Sequence, residues 1–294
     1  MKEFLDVAIP LITFFLMFVV GVDVTIRDFL EAFKRPIGLA SGIVVQVILL
    51  PVIALAIIMT MELPVHIEAG ILLMAACPAG GISNYYCVLA RSSIAISIVL
   101  TVATCILAVI TLPVSMWVYE IVLGQAMNFS VPIKLLFGQL VIMVFIPVII
   151  GMALRHYRPE VVEGHKKTLS LVGVIALAGL VVFVVIQQPG EILAALSSSI
   201  IPAIGFTIAA MAAGLITGRA CQVDIQTQFS FAIEFSVRNI AIAAAIAITL
   251  LGQVEFAIFA AAYFLIQLPV ILMAVVIFRT YVSRNSKRPI EERV

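Results

Sequence analysis

The sequence predicts an all-α protein that crosses a membrane nine times, and three observations carry that prediction. Hydrophobic residues fill 64% of the 294 positions and charged residues only 11%, with a mean hydropathy of +1.25, whereas a soluble domain carries about 25% charged residues. Apolar runs of the roughly 20 residues needed to cross a bilayer occur at nine places. Threading those runs puts 14 of the 17 lysines and arginines on one side, as the cytoplasmic preference of basic residues requires.

The runs follow one another closely. Span one, 4–22, leads to Arg27, Lys34 and Arg35 on the cytoplasmic side, and span two, 37–60, carries Gln46 in mid-run. Span three, 67–91, ends on Arg91; span four, 93–118, closes with Trp117 and Tyr119, placed where an aromatic belt anchors a helix at the interface. Spans five to seven are 132–154, 168–187 and 199–218, with Arg155, Arg158, Lys166 and Lys167 after span five and Arg219 after span seven. Span eight is 228–251. Span nine, 256–278, leads into a basic cytoplasmic tail, 279–294, with Arg279, Arg284, Lys287, Arg288 and Arg293. Lys2 and Lys134 fall on the opposite side and Arg238 lies inside the membrane, so the N-terminus is expected outside the cell membrane and the C-terminus in the cytoplasm.

Several function classes drop out. The net charge of +1 carries no argument, and the loops are too short for a soluble domain or a nucleic-acid surface. Cys77, Cys87, Cys105 and Cys221 lack CxxC spacing, so they read as small apolar fillers rather than disulfides or zinc ligands. His66, His156 and His165 all lie in loops, and neither HExxH nor Gly-x-Ser-x-Gly occurs, which argues against an intramembrane enzyme and against a bound cofactor.

Two polar clusters interrupt the apolar background. Span eight places Glu234 and Arg238 four residues apart, where a charge costs several kcal/mol unless it is paired or used. That spacing is one helical turn, so the two can share a face and neutralise each other. Span three carries Cys77-Pro78-Ala79-Gly80-Gly81-Ile82-Ser83-Asn84 at its centre. Pro78 removes a donor and Gly80 and Gly81 free the backbone, so the helix should open there, with Ser83 and Asn84 capping a second half-helix. Open backbone at membrane depth survives only inside protein or beside a wet cavity. Mid-depth polar clusters in both halves of a chain are how inverted-repeat secondary transporters build their sites. In span eight only the polar cluster is visible, because no Pro or Gly marks a break. Ser93, Ser97 and Thr101 recur on one face of span four, as hydroxyl ligands or as close-packing residues.

These residues resemble the bile acid:sodium symporter family. Cys77 to Asn84 with Val88-Leu-Ala-Arg91 is similar to the family's Cys-Pro-Gly-Gly-x-x-Ser-Asn stretch and its Tyr-Leu-Ala-Arg-like end, and Glu234 to Asn239 is similar to its Glu-x-Gly-x-Gln-Asn stretch. The resemblance implies two inverted repeats with the first helix of ten absent, a panel domain and a core domain, and two broken helices crossing in the core. It further implies sodium-coupled symport of an organic anion by alternating access, in the cell (inner) membrane, by a monomer with no partner beyond substrate, Na+ and lipid. One sodium site would use Ser83, Asn84, Ser97, Thr101 and Glu234. A second would use Gln46, Glu234, backbone at Phe235 and Val237, and a glutamine where this chain has Arg238. Arginine offers only donors, so the guanidinium is expected to stand in for that second ion, leaving one Na+, or to clamp a substrate carboxylate. Substrate contacts are expected at Gly81, Ile82, Arg238 and Asn239, for a bile-acid-like anion or a small carboxylate. The alternative is a proton-coupled or sodium-independent carrier of the same fold.

Overall fold

The computed structural model describes residues 2–127, 132–187 and 189–286, and among them every regular element is a helix. In chain order they are α1 (Lys2–Asp23), α2 (Ile26–Phe33), α3 (Pro36–Thr60), α4 (Val65–Ala76), α5 (Ile82–Ala90), α6 (Ile94–Met127), α7 (Ile133–Leu140), α8 (Ile146–Tyr157), α9 (Pro159–Gln187), α10 (Pro189–Ala220), α11 (Ile225–Ser236), α12 (Ile240–Ala245) and α13 (Val254–Ser286). A five-residue π turn, Val141–Phe145, joins α7 to α8, and a second, Ile246–Leu250, extends α12.

Five stretches among the described residues are long and apolar enough to cross a membrane: Pro36–Thr60, Ile94–Val122, Ile133–Tyr157, Ser197–Ala220 and Phe256–Arg284. A sixth results if α1 and α2, bent by 67° at Val24–Thr25, count as one span. The bend has a local cause. Thr25 caps α2 in a reciprocal box with Asp28, a device that starts a helix afresh rather than continuing one. Expected spans three and eight are each two short helices, α4–α5 and α11–α12, and expected span six lies within α9. Lys287, Arg288 and Arg293 of the basic tail lie outside the described residues.

Packing divides the helices around α6. On one side α1 packs against α8 and α9; on the other α10 packs against α11, α13 and α3, while α4 sits among α3, α6 and α13. Small residues make the closest of these approaches, as they must where helices associate without water to drive them. A side chain on Gly21 would collide with the Val148 carbonyl, and one on Gly151 with the Phe18 carbonyl, so α1 and α8 lie backbone against backbone.

The aromatic end of span four departs from expectation. Trp117 is exposed but Tyr119 is buried, because α6 continues to Met127 and the two residues point to different sides of it. Only Trp117 has the exposure of a belt residue.

Candidate ion-binding site

The two interrupted helices cross at their breaks. α4 stops at Ala76 because Cys77 turns extended ahead of Pro78, which disfavours helical backbone before it. α11 stops at Ser236, and Val237 and Asn239 are both extended. The gaps then pair with each other: Gly80 N–H donates to the Val237 carbonyl at 2.9 Å, Asn239 N–H donates to the Pro78 carbonyl at 3.0 Å, and Ala79 and Arg238 form an antiparallel bridge. Each break thereby meets part of the other's hydrogen-bonding need within the protein, the condition under which open backbone persists at membrane depth. A Cβ on Gly80 would lie 2.9 Å from the Arg238 carbonyl oxygen. The crossing needs a glycine there.

The break in span eight was not visible in the sequence. Its one local signal is Asn239, whose side-chain oxygen accepts from Ile242 N–H at 3.1 Å and so caps α12. Ser83 and Asn84 were expected to cap α5, and they do not. Gly81 holds the cap position and no side chain caps the helix, which leaves both residues in the first turn with their side chains free for another use.

That use is Glu234. Its Oε1 accepts from the Ser83 and Ser97 hydroxyls, and its Oε2 accepts from Thr101 at 2.9 Å. The Ser97 hydroxyl also lies 2.8 Å from Asn84 Oδ1, so its single proton is shared between the two acceptors, and the Ser83 and Thr101 hydroxyls lie 3.3 Å apart. The five residues expected in a first sodium site therefore meet in one place, drawn from α5, α6 and α11, with Glu234 and three hydroxyl residues fully buried. All their contacting atoms are oxygens of the hard type that suits Na+ rather than zinc or copper. Ser93, the third member of the hydroxyl stripe, instead accepts from Ser230 through its carbonyl at 2.9 Å, tying α6 to α11.

Arg238 stands elsewhere, and the ion pair that its spacing from Glu234 allows does not form. The three ion pairs described are Arg27–Glu31, Arg35–Asp224 and Arg155–Glu163. The one-turn spacing that would pair Arg238 with Glu234 fails because the helix ends between them, at Ser236. The guanidinium reaches back over the C-terminus of α4, donating to the carbonyls of Met74 at 3.3 Å, Ala75 at 3.2 Å, and Cys77. These are orphan carbonyls at the negative end of a helix dipole, a favourable place for a cation.

The groups expected around a second site are engaged in part. Gln46 donates through Nε2 to the Glu234 carbonyl at 3.1 Å while its Oε1 is buried without a hydrogen-bond partner, and the Val237 carbonyl is taken by Gly80. Phe235 is buried with its ring parallel to Phe231. A narrow cavity of ≈ 10 Å³, bordered by Gln46, Pro78, Thr104 and Arg238, offers room for about one water. Of the expected substrate residues, Gly81 and Ile82 are half-buried while Arg238 and Asn239 are buried. Two supporting residues escaped sequence reasoning. Thr104 accepts from Ala79 N–H at 3.4 Å, and the Tyr263 hydroxyl donates to the Ser236 carbonyl at 2.5 Å, closing the end of α11.

Residues 10–196, more than half of the chain, match the Sodium Bile acid symporter family. The chain belongs to that family. Its members are symporters rather than enzymes, and with its apolar helices the chain is a multi-pass membrane protein. The matched segment includes Gln46, the first break and the hydroxyls of α6, and it ends before Glu234. An uncharacterized sodium-dependent transporter of Bacillus subtilis (strain 168) is 28% identical over 244 residues, covering 80% of this chain and 73% of that protein. A probable chloroplastic sodium/metabolite cotransporter of Oryza sativa subsp. japonica is 27% identical over 233 residues, 78% of this chain and 53% of its own. A sodium-dependent organic anion transporter of Bos taurus is 26% identical over 178 residues, 60% of this chain and 45% of its own. The chain spans about half the length of the rice and bovine relatives.

Proposed function

We propose that the protein is a secondary active transporter that couples Na+ to the movement of an organic anion by alternating access, with one Na+ per cycle. The observation that carries this reading is the convergence of three hydroxyls on the buried Glu234 carboxylate, beside Asn84 Oδ1. Without an ion the hydroxyl protons point at the carboxylate. With Na+ they turn away, their lone pairs and the carboxylate face the ion, and the buried negative charge is neutralised.

Arg238 supports a stoichiometry of one. A fixed guanidinium already neutralises the C-terminal end of α4, and its charge repels a cation from the Gln46 side of the crossing. In this reading α1 with α7–α9 forms the panel, and α3–α6 with α10–α13 the core, of a nine-span inner-membrane protein with its N-terminus outside and its C-terminus in the cytoplasm. Gly81, Ile82 and Asn239 face the substrate, a small carboxylate or bile-acid-like anion, where core and panel meet.

The test needs no known substrate. Na+, compared with K+ at equal ionic strength, should raise the melting temperature of the purified protein, since a ligand that binds only the folded state stabilises it. Glu234→Gln should abolish the difference. Uptake of carboxylates into proteoliposomes that responds to pH and ignores Na+ would instead support a proton-coupled carrier.

A further inference from the structure

The residue that covers the crossing is Met17. Thr13, Met17 and Val20 lie on one face of α1, spaced by about one turn, and all three meet the crossing. The Thr13 hydroxyl, which bonds back to the Ile9 carbonyl at 2.8 Å, also lies 3.2 Å from the Ala241 carbonyl, Met17 Sδ lies 3.7 Å from Asn239 Nδ2 and 4.0 Å from Cys105 Sγ, and Val20 lies so close to Gly81 that a Cβ there would come within 2.9 Å of it. Two of the expected substrate residues, Gly81 and Asn239, are thus covered by α1.

The Asn239 amide shows what is being held. Its oxygen is committed to Ile242 N–H as the cap of α12, which fixes the orientation of the group and aims Nδ2 at α1. There the donor meets a thioether, a weak acceptor, although the side chain is only 4% exposed. A buried amide donor left with so poor a partner is costly compared with one that meets an oxygen. The site therefore favours an oxygen acceptor at the position of the Met17 sulfur.

We propose that Met17 is the displaceable plug of the substrate site, its sulfur holding the place that a carboxylate oxygen of the substrate takes on Asn239 Nδ2. This rests on the transporter reading, in which α1 and the crossing part during the cycle. The two faces of α1 are built for that. Its contact with α8 is backbone on backbone at Gly21 and Gly151, whereas its contact with the crossing is made largely by flexible or small side chains. Met is unbranched and adaptable, suited to a contact that is made and broken.

Cys105 reports the opening. It is fully buried between Met17 and the Ala79 carbonyl, so N-ethylmaleimide reaches it only when α1 moves away. In a chain carrying Cys77→Ala, Cys87→Ala and Cys221→Ser, alkylation of Cys105 is measured in proteoliposomes in Na+ buffer. Met17→Leu keeps the volume and removes the weak acceptor, so it should speed alkylation about twofold, the ratio at the low end of net hydrogen-bond strength. In an Asn239→Ser background, which keeps a capping oxygen but cannot reach α1, the same change should leave the rate unchanged. Met17→Gln, which supplies an amide oxygen, should slow alkylation below the native rate. If Met17 were only packing, a buried amide would loosen the contact and alkylation would rise. Equal effects of Met17→Leu in both backgrounds, or faster alkylation of Met17→Gln, overturn the plug. Loss of the Na+-dependent melting shift in the native chain overturns the transporter reading instead.

Discussion

Glu234 and Arg238, four residues apart, turn to different partners: the carboxylate to the hydroxyls of α5 and α6, the guanidinium to the carbonyls that end α4. The end of α11 at Ser236 separates them. The carboxylate is held by hydroxyls, while the guanidinium bonds backbone through Nε and Nη2 and leaves Nη1 buried without a partner. Their substitutions should therefore fail in different ways.

Glu234→Gln should remove the Na+-dependent melting shift and lower Na+-driven uptake at least tenfold, while the fold survives, because the amide oxygen still accepts from serine. Ser97→Ala and Thr101→Val each delete one oxygen near the carboxylate. Each should raise the half-saturating Na+ concentration about fivefold to thirtyfold, the range for about 1–2 kcal/mol, in a titration of melting temperature against Na+.

Arg238→Gln removes the fixed cation and supplies an amide oxygen beside Gln46. The Na+ dependence of uptake should change from a Hill coefficient near one to a value approaching two. A native coefficient of two that the substitution leaves unchanged would sink the single-ion stoichiometry. Stability should fall as well, since the carbonyls of Met74, Ala75 and Cys77 lose charged donors, each bond being worth about 1.5–3 kcal/mol.

Gly80→Ala tests the crossing itself. Its Cβ would press on the Arg238 carbonyl at 2.9 Å, a backbone atom held by the neighbouring hydrogen bonds. Overpacking of this kind costs about 1–3 kcal/mol. A fall of several degrees in melting temperature is expected, together with weaker Na+ binding because Ser83 and Asn84 would move with the break.

Asp224 gives the pH dependence at the membrane edge. It caps α11 by accepting from Thr227 N–H at 2.8 Å and pairs with Arg35, which joins the start of α3 to the start of α11. Burial would raise its carboxyl, but the Thr227 N–H, Arg35 and the Thr227 hydroxyl outweigh that and hold it below the usual carboxylate range. Because the folded value lies below the unfolded one, this contribution is complete above the unfolded value of about 4 and fades as pH falls through the folded value. Both side chains are more than a third exposed, so Asp224→Asn, which keeps a cap, should cost only ~0.2–1 kcal/mol at neutral pH. Asp224→Ala should cost about 1 kcal/mol more. Thermal unfolding at pH 7 and at pH 3 checks both, and the gap between native and Asp224→Asn should narrow at the lower pH.

Legibility followed chemistry. The break at Pro78 announced itself because proline and glycine act on their own backbone wherever they stand. The five oxygen-bearing residues that meet at Glu234 were legible through the family motifs, and their meeting requires long-range contacts that no local pattern encodes. The break at Val237 was illegible for the same reason: nothing in Ser236-Val-Arg-Asn239 forbids a helix, and the open backbone there finds its bonding partners at Pro78 and Gly80, in the gap between α4 and α5. The ion pair misled because one-turn spacing implies contact only while the turn continues. Met17 was invisible because a methionine in an apolar span carries no signal of what it covers.

The ladder between Ala79 and Arg238 has a mechanical consequence. Two half-helices from each end of the sequence are riveted by main-chain bonds that belong to neither helix alone. Such a joint resists sliding, because either broken helix can shift past the other only by stretching the bonds at Gly80–Val237 and Asn239–Pro78. A displacement of one break at the carboxylate would therefore pull on the other.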